Sequence, residues 1–144
     1  MTIKELSQLY WLNREIEHDQ ERLERLRIEA ESPSGVMLDG MPHDGGPVQS
    51  KVERLVLEII DLEAIIAAKQ IQCIHERQRL ERYIADVPDS LTRMILTLRF
   101  VNNLPWDQVA YHIGGGNTTE GVKKRCYRYI DSTEEEREEE ENRP

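Results

Sequence analysis

The residues of this chain best placed to do chemistry lie in one short stretch toward its C-terminal end: Thr118, Thr119 and Glu120, then Lys123, Lys124, Arg125 and Arg128. They follow Gly114-Gly115-Gly116-Asn117, a turn sequence, and Thr118 is a good N-cap for a helix through Val122, Cys126, Tyr127 and Ile130. Val122, Cys126 and Ile130 recur at four-residue spacing and point inward. Thr119, Glu120, Lys123 and Lys124 are then left outward, and Arg125 and Arg128 are within reach of a backbone alongside. The chemistry of such a set is recognition of a polyanion. A helix N-terminus offers free N–H groups to phosphate, and lysines add a salt-sensitive attraction through counterion release. Glu120, facing a base, would accept from a cytosine amino group.

These side chains need elements to aim them. Leu104-Pro105-Trp106 opens a short helix through Ile113, with Val109, Ile113 and Trp106 on one face and the small Ala110 where another helix approaches closely. Helix, glycine turn and capped helix make a helix-turn-helix, in which the second helix lies in the major groove. Upstream, Pro88 disfavours helical geometry at Val87, and Asp89 or Ser90 caps a helix that carries Leu91, Ile95 and Leu98 inward and ends at Asn102-Asn103. Arg93 and Arg99 are expected on its outside.

The stretch Pro88 to Val101, with Leu104-Pro105-Trp106-Asp107-Gln108-Val109-Ala110 and Ile113-Gly114, resembles sigma-70 region 4, where a leucine-arginine-aromatic helix precedes a helix of the form tryptophan, two residues, valine or isoleucine, alanine. It is similar above all to phage and prophage regulators of the ArpU and RinA-like type, whose arginine-tyrosine-aliphatic ending is matched by Arg128-Tyr129-Ile130. The resemblance covers the last third of the chain. It implies a sequence-specific, double-stranded-DNA-binding transcriptional regulator of late phage or prophage genes, with RNA polymerase a further candidate partner. The glycine turn is about two residues longer than in a tight helix-turn-helix, which alters the angle of the recognition helix. Nothing before residue 88 resembles the core-binding and melting region of a full sigma factor, so an activator or repressor is expected.

The first two thirds read as long helices. Leu9, Leu12, Ile16, Leu23, Leu26 and Ala30 keep heptad spacing with one polar lapse at Asp19. Residues 32–50 hold three prolines and four glycines and predict a flexible connection. A second helix is expected from the N-cap Ser50, with Glu53 three residues on, to about Ala85. Its heptad runs Val52, Leu55, Ile59, Leu62, Ile66, Cys73, Leu80 and Tyr83, with lapses at Lys69 and Glu76. A further stripe of Val56, Ile60, Ala64, Ala67, Ile71 and Ile74 makes its apolar face too wide for one partner helix, which predicts a homo-oligomer.

The expected architecture is therefore all-α: a long antiparallel helical hairpin or coiled coil over 1–87, a helix-turn-helix over 88–131, and a disordered acidic tail over 132–144. The chain has 144 residues with a formal net charge of -9, 38% hydrophobic, 33% charged and 6% aromatic. That charge argues against nucleic-acid binding only as an average. From Glu134 to Glu141 every residue but Arg137 is glutamate, and removing that run from the sum leaves the basic cluster before it intact. The tail reads as a solubilising end, or as a DNA mimic competing for residues 123–128.

No apolar run spans a bilayer and no signal peptide is recognisable, so a cytoplasmic protein is expected. Cys73 and Cys126 lie far apart, without partners at metal or disulfide spacing, and read as buried thiols. His18, His43, His75 and His112 are scattered, and no phosphate loop or nucleophile signature is present. The expectation is no enzyme, no cofactor and no metal. Two other readings fit the same plan: a phage small terminase subunit recognising packaging DNA, and a helical protein-interaction adaptor that never touches DNA.

Overall fold

The computed structural model of the chain describes residues 1–32 and 46–144. Among these residues the protein is all-α, with six helices and no strand: α1 (Ile3–Leu6), α2 (Gln8–Glu31), α3 (Gly46–Ala85), α4 (Ser90–Leu96), α5 (Trp106–Ile113) and α6 (Thr119–Glu141). A single π-helical turn, Thr97–Val101, extends α4. The connection expected over 32–50 lies outside the described residues except at its two ends. Of these, α3 already begins at Gly46, four residues before Ser50. Pro47 is no obstacle there, because a first-turn N–H has no acceptor within the helix.

The chain divides into two compact units, Asn13–Gln72 and Met1–Leu12 with Cys73–Pro144. The boundary thus falls inside α3, where composition suggested Pro88. The reason lies in burial at the start of the chain. Thr2 and Glu5 close a capping box that fixes α1, and Leu6 and Leu9 enter the same core as Leu80, Ile84 and Val87. Arg79 also donates to the Glu5 carbonyl, 3.1 Å away.

The Asn13–Gln72 unit is an antiparallel pair of helical segments. Lys51 meets Glu29 at 3.7 Å, Arg27 meets Glu63 at 2.9 Å, and Lys69 meets Asp19, so late residues of α2 face early residues of α3. Ile16 and Leu23 are buried, as are Leu55, Leu62 and Ile66, all on the expected heptads. Each contributes roughly 1.5–3 kcal/mol by leaving water. The polar lapses of the two heptads, Asp19 and Lys69, pair with each other at 2.5 Å, and Glu15 approaches the same ammonium at 3.7 Å. The carboxylate hydrogen bond holds the Lys69 ammonium above its ordinary value. A lapse that looks like a defect in either helix alone is a matched pair in the hairpin.

The other unit is a helical cluster around Ile95, Leu96, Phe100, Val101, Val109, Ala110, Val122, Cys126 and Ile130, all buried. Asp89 caps α4 by accepting from the Thr92 amide at 2.9 Å. The helix ends as expected at Asn102-Asn103, where Asn103 takes a left-handed φ of 56° and turns the chain toward α5. At the other end, α6 runs through Glu141. The acidic segment expected to be disordered is helical, in keeping with the high helix propensity of glutamate, which a composition argument for disorder ignores.

Candidate nucleic-acid interface

The geometry of the predicted helix-turn-helix begins with the packing of α5 on α6. Val109 and Ala110 are buried against Val122, Cys126 and Ile130, so the small residue at 110 does allow the close approach that the sequence suggested. Burial pushes the Cys126 thiol up to about 12, which leaves it an inert apolar group at neutral pH. Cys126 is buried and Cys73 half-buried.

The turn is built by three successive left-handed glycines, Gly114, Gly115 and Gly116, at φ 66°, 64° and 78°. Gly114 combines its positive φ with ψ -153°, a region closed to other residues by their Cβ. Asn117 fastens the turn, its side-chain amide donating to the Gly114 carbonyl at 2.8 Å. Thr118 then caps α6, its hydroxyl accepting from the Gly121 amide at 3.0 Å. A Cβ at Gly121 would stand 2.9 Å from that hydroxyl, so the glycine keeps room for the cap.

The predicted site residues separate into three groups. Glu120, Lys124 and Arg128 are exposed. At about 100° per residue, Lys124 and Arg128 lie opposite the Val122, Cys126 and Ile130 stripe. Thr119 and Lys123 are half-buried, nearer the core face than expected. Thr118 and Arg125 already have partners: Thr118 is the cap, and Arg125 donates to Asp89 at 2.8 Å and to the Thr92 hydroxyl at 3.5 Å. The Thr92 hydroxyl, Arg125 and the Thr92 amide together hold the Asp89 carboxyl well below the usual carboxylate range. Arg125 therefore ties the start of α4 to α6.

Two further arginines expected on the outside are likewise engaged. Arg93 donates to the carbonyls of Val87 and Pro88 at 2.6 and 3.1 Å, and Arg99 donates to the Leu104 carbonyl at 3.0 Å while stacking 4.7 Å above Trp106. Trp106 in turn stands 6.0 Å from Tyr127. This chain of contacts fixes the entry of α5 against α6.

Sequence reasoning passed over Tyr111. It is 79% exposed in the last turn of α5, with the exposed His112 edge-on at 5.7 Å. Tyr111 and the basic side chains of α6 flank the same glycine turn. The signal was present, because Tyr111 falls outside the Trp106, Val109 and Ile113 stripe and so must point away from the core.

A cleft lined by Ser7, Tyr10, Trp11, Arg99, Phe100, Asn103 and Pro105 lies in the same unit, but its one cation is committed to Leu104 and Trp106. No family model, curated protein or solved structure matches the chain. No helix among the described residues is long and apolar enough to cross a membrane.

Proposed function

We propose that the protein is a sequence-specific double-stranded-DNA-binding regulator that reads DNA with the N-terminal half of α6. The observation that carries this reading is the outward trio Glu120, Lys124 and Arg128 at the start of a capped helix, behind a second helix packed on it through Ala110. Free first-turn N–H groups and two cations on one face suit a phosphate backbone, and Glu120, facing a base, would accept from a cytosine amino group. Tyr111 adds a hydroxyl donor on the other side of the turn. The resemblance of residues 88–130 to sigma-70 region 4 supports the same reading and points to transcription of phage or prophage genes.

The test is binding of the purified chain to duplex fragments flanking its own gene, titrated across salt. Tight binding to one promoter-like fragment, weakened in Lys124→Ala/Arg128→Ala, is the expected result. Absence of duplex binding at low salt refutes the reading and leaves a protein-interaction module.

A further inference from the structure

Helix α3 is apolar on two opposite sides. One side carries Leu55, Leu62 and Ile66, buried against α2. The other, about 150° around the helix at 100° per residue, carries Leu57, Ile60, Ala64, Ala67, Ile71 and Ile74. These six are all exposed, the four large ones at 61, 54, 56 and 57% in chain order. Val56, 43% exposed, widens the stripe at one end. An uncovered apolar strip of this length on one helix is a feature soluble chains use for contact.

The order of residues in the strip says what fits it. Leu57 and Ile74, Ile60 and Ile71, and Ala64 and Ala67 are placed symmetrically about a point between Ile65 and Ile66. In heptad terms the strip alternates a and d positions, and an antiparallel pair of helices sets each a against a d of its partner. Turned end for end, the strip therefore presents large residues to large and alanine to alanine. That is the requirement of an isologous two-fold contact, in which residue i meets j and j meets i. Alanines at the axis let the two backbones approach closely, and the aliphatic layers close on either side.

The flanks agree. The antiparallel arrangement brings Glu63 opposite Gln70 and Asp61 opposite Ala68 of the second copy, with no carboxylate facing another. A parallel in-register pair would instead place Arg77 opposite Arg82, and it would put Ile60 and Ile74 at d positions, which parallel two-stranded coils give to leucine. Helix dipoles also favour the antiparallel choice.

We infer that this face of α3 is the seat of a second copy of the chain, docked antiparallel about a two-fold axis at Ala64 and Ala67. The inference stands apart from DNA recognition, since it concerns other residues and is read by mass. The full-length chain should sediment at twice its chain mass. Ile60→Glu or Ile71→Lys alone should shift it to monomer, raising the dissociation constant on the order of a hundredfold or more by burying an unpaired charge. Both side chains are half-exposed in the single chain, so far-UV circular dichroism should stay unchanged. Mixing the two variants should restore a dimer, because only the antiparallel register sets position 60 of one copy against position 71 of the other. A monomeric wild type, single variants that remain dimeric, or a mixture that stays monomeric would each overturn the proposal.

Discussion

The most exposing test of the proposed interface is a salt titration of Lys124→Ala/Arg128→Ala. Both side chains point away from the Val122, Cys126 and Ile130 stripe and neither holds a structural partner in the described contacts, so their removal should leave the fold untouched. Each phosphate neutralised by a protein cation contributes about -0.9 to the slope of log K against log salt. Two lost contacts should make that slope shallower by about 1.8, and between roughly 50 and 200 mM salt the variant should lose about tenfold less affinity than the wild type. Arg125→Ala is the internal control. Arg125 must leave Asp89, 2.8 Å away, to reach a phosphate, so it exchanges one anion for another and its removal should change the slope less while lowering stability. Fluorescence anisotropy on a labelled duplex at four or more salt concentrations reads both. An unchanged slope in the double variant, or a larger change in Arg125→Ala, would refute the assignment of these cations.

Three further outcomes follow from the packing. Thr118→Ala leaves the Gly121 amide without its acceptor and should cost about 1 kcal/mol in denaturant unfolding. Asp89 is held ionised below the usual carboxylate range in the folded chain, so the stability it contributes is present above its unfolded value of about 3.9 and is lost as pH falls below it. Thermal melts from neutral to acid pH should show that loss, and Asp89→Asn should flatten it. In the hairpin, Asp19→Leu and Lys69→Leu should each destabilise by leaving the other charge half-buried, whereas the double substitution should be milder than the sum, with a coupling of about 0.5–3 kcal/mol in a double-mutant cycle.

What could be read from the sequence is what local chemistry decides. The caps at Asp89 and Thr118, the bounds of α5, and the inward register of Val122, Cys126 and Ile130 all depend on residues within a turn or two of each other. What escaped depends on distant approach. Nothing near Met1 announces that Leu6 will share a core with Leu80, so the compact unit was expected to begin at Pro88. Arg93, Arg99 and Arg125 look identical in sequence to free cations, and only the carbonyls, Trp106 and Asp89 that come to meet them show that they are engaged, Arg125 while still exposed. The pairing of Asp19 with Lys69 shows the same point from the other side, because each reads alone as a flaw.

Along α6 the charge reverses within one rigid element, and this bears on how a polyanion can lie against it. Lys124 and Arg128 occupy the first turns, while the run from Glu134 to Glu141 occupies the last. Because the helix is continuous, the acidic half cannot fold back to cover the basic half of its own chain, which removes the DNA-mimic role within one molecule. A duplex lying along the whole helix would run beside turns that carry glutamate on every face, so an approach at the N-terminal end is favoured. From Arg128 to Glu138 is about 15 Å of helix rise. That exceeds the Debye length of about 8 Å at physiological salt but lies well within the roughly 30 Å at 0.01 M. Replacing Glu138, Glu139, Glu140 and Glu141 with glutamine should therefore leave duplex affinity unchanged near physiological salt and raise it at low salt, where the repulsion is felt. Equal affinity gains at both salts would mean that the acidic turns touch the DNA directly, and the end-on approach would have to be abandoned.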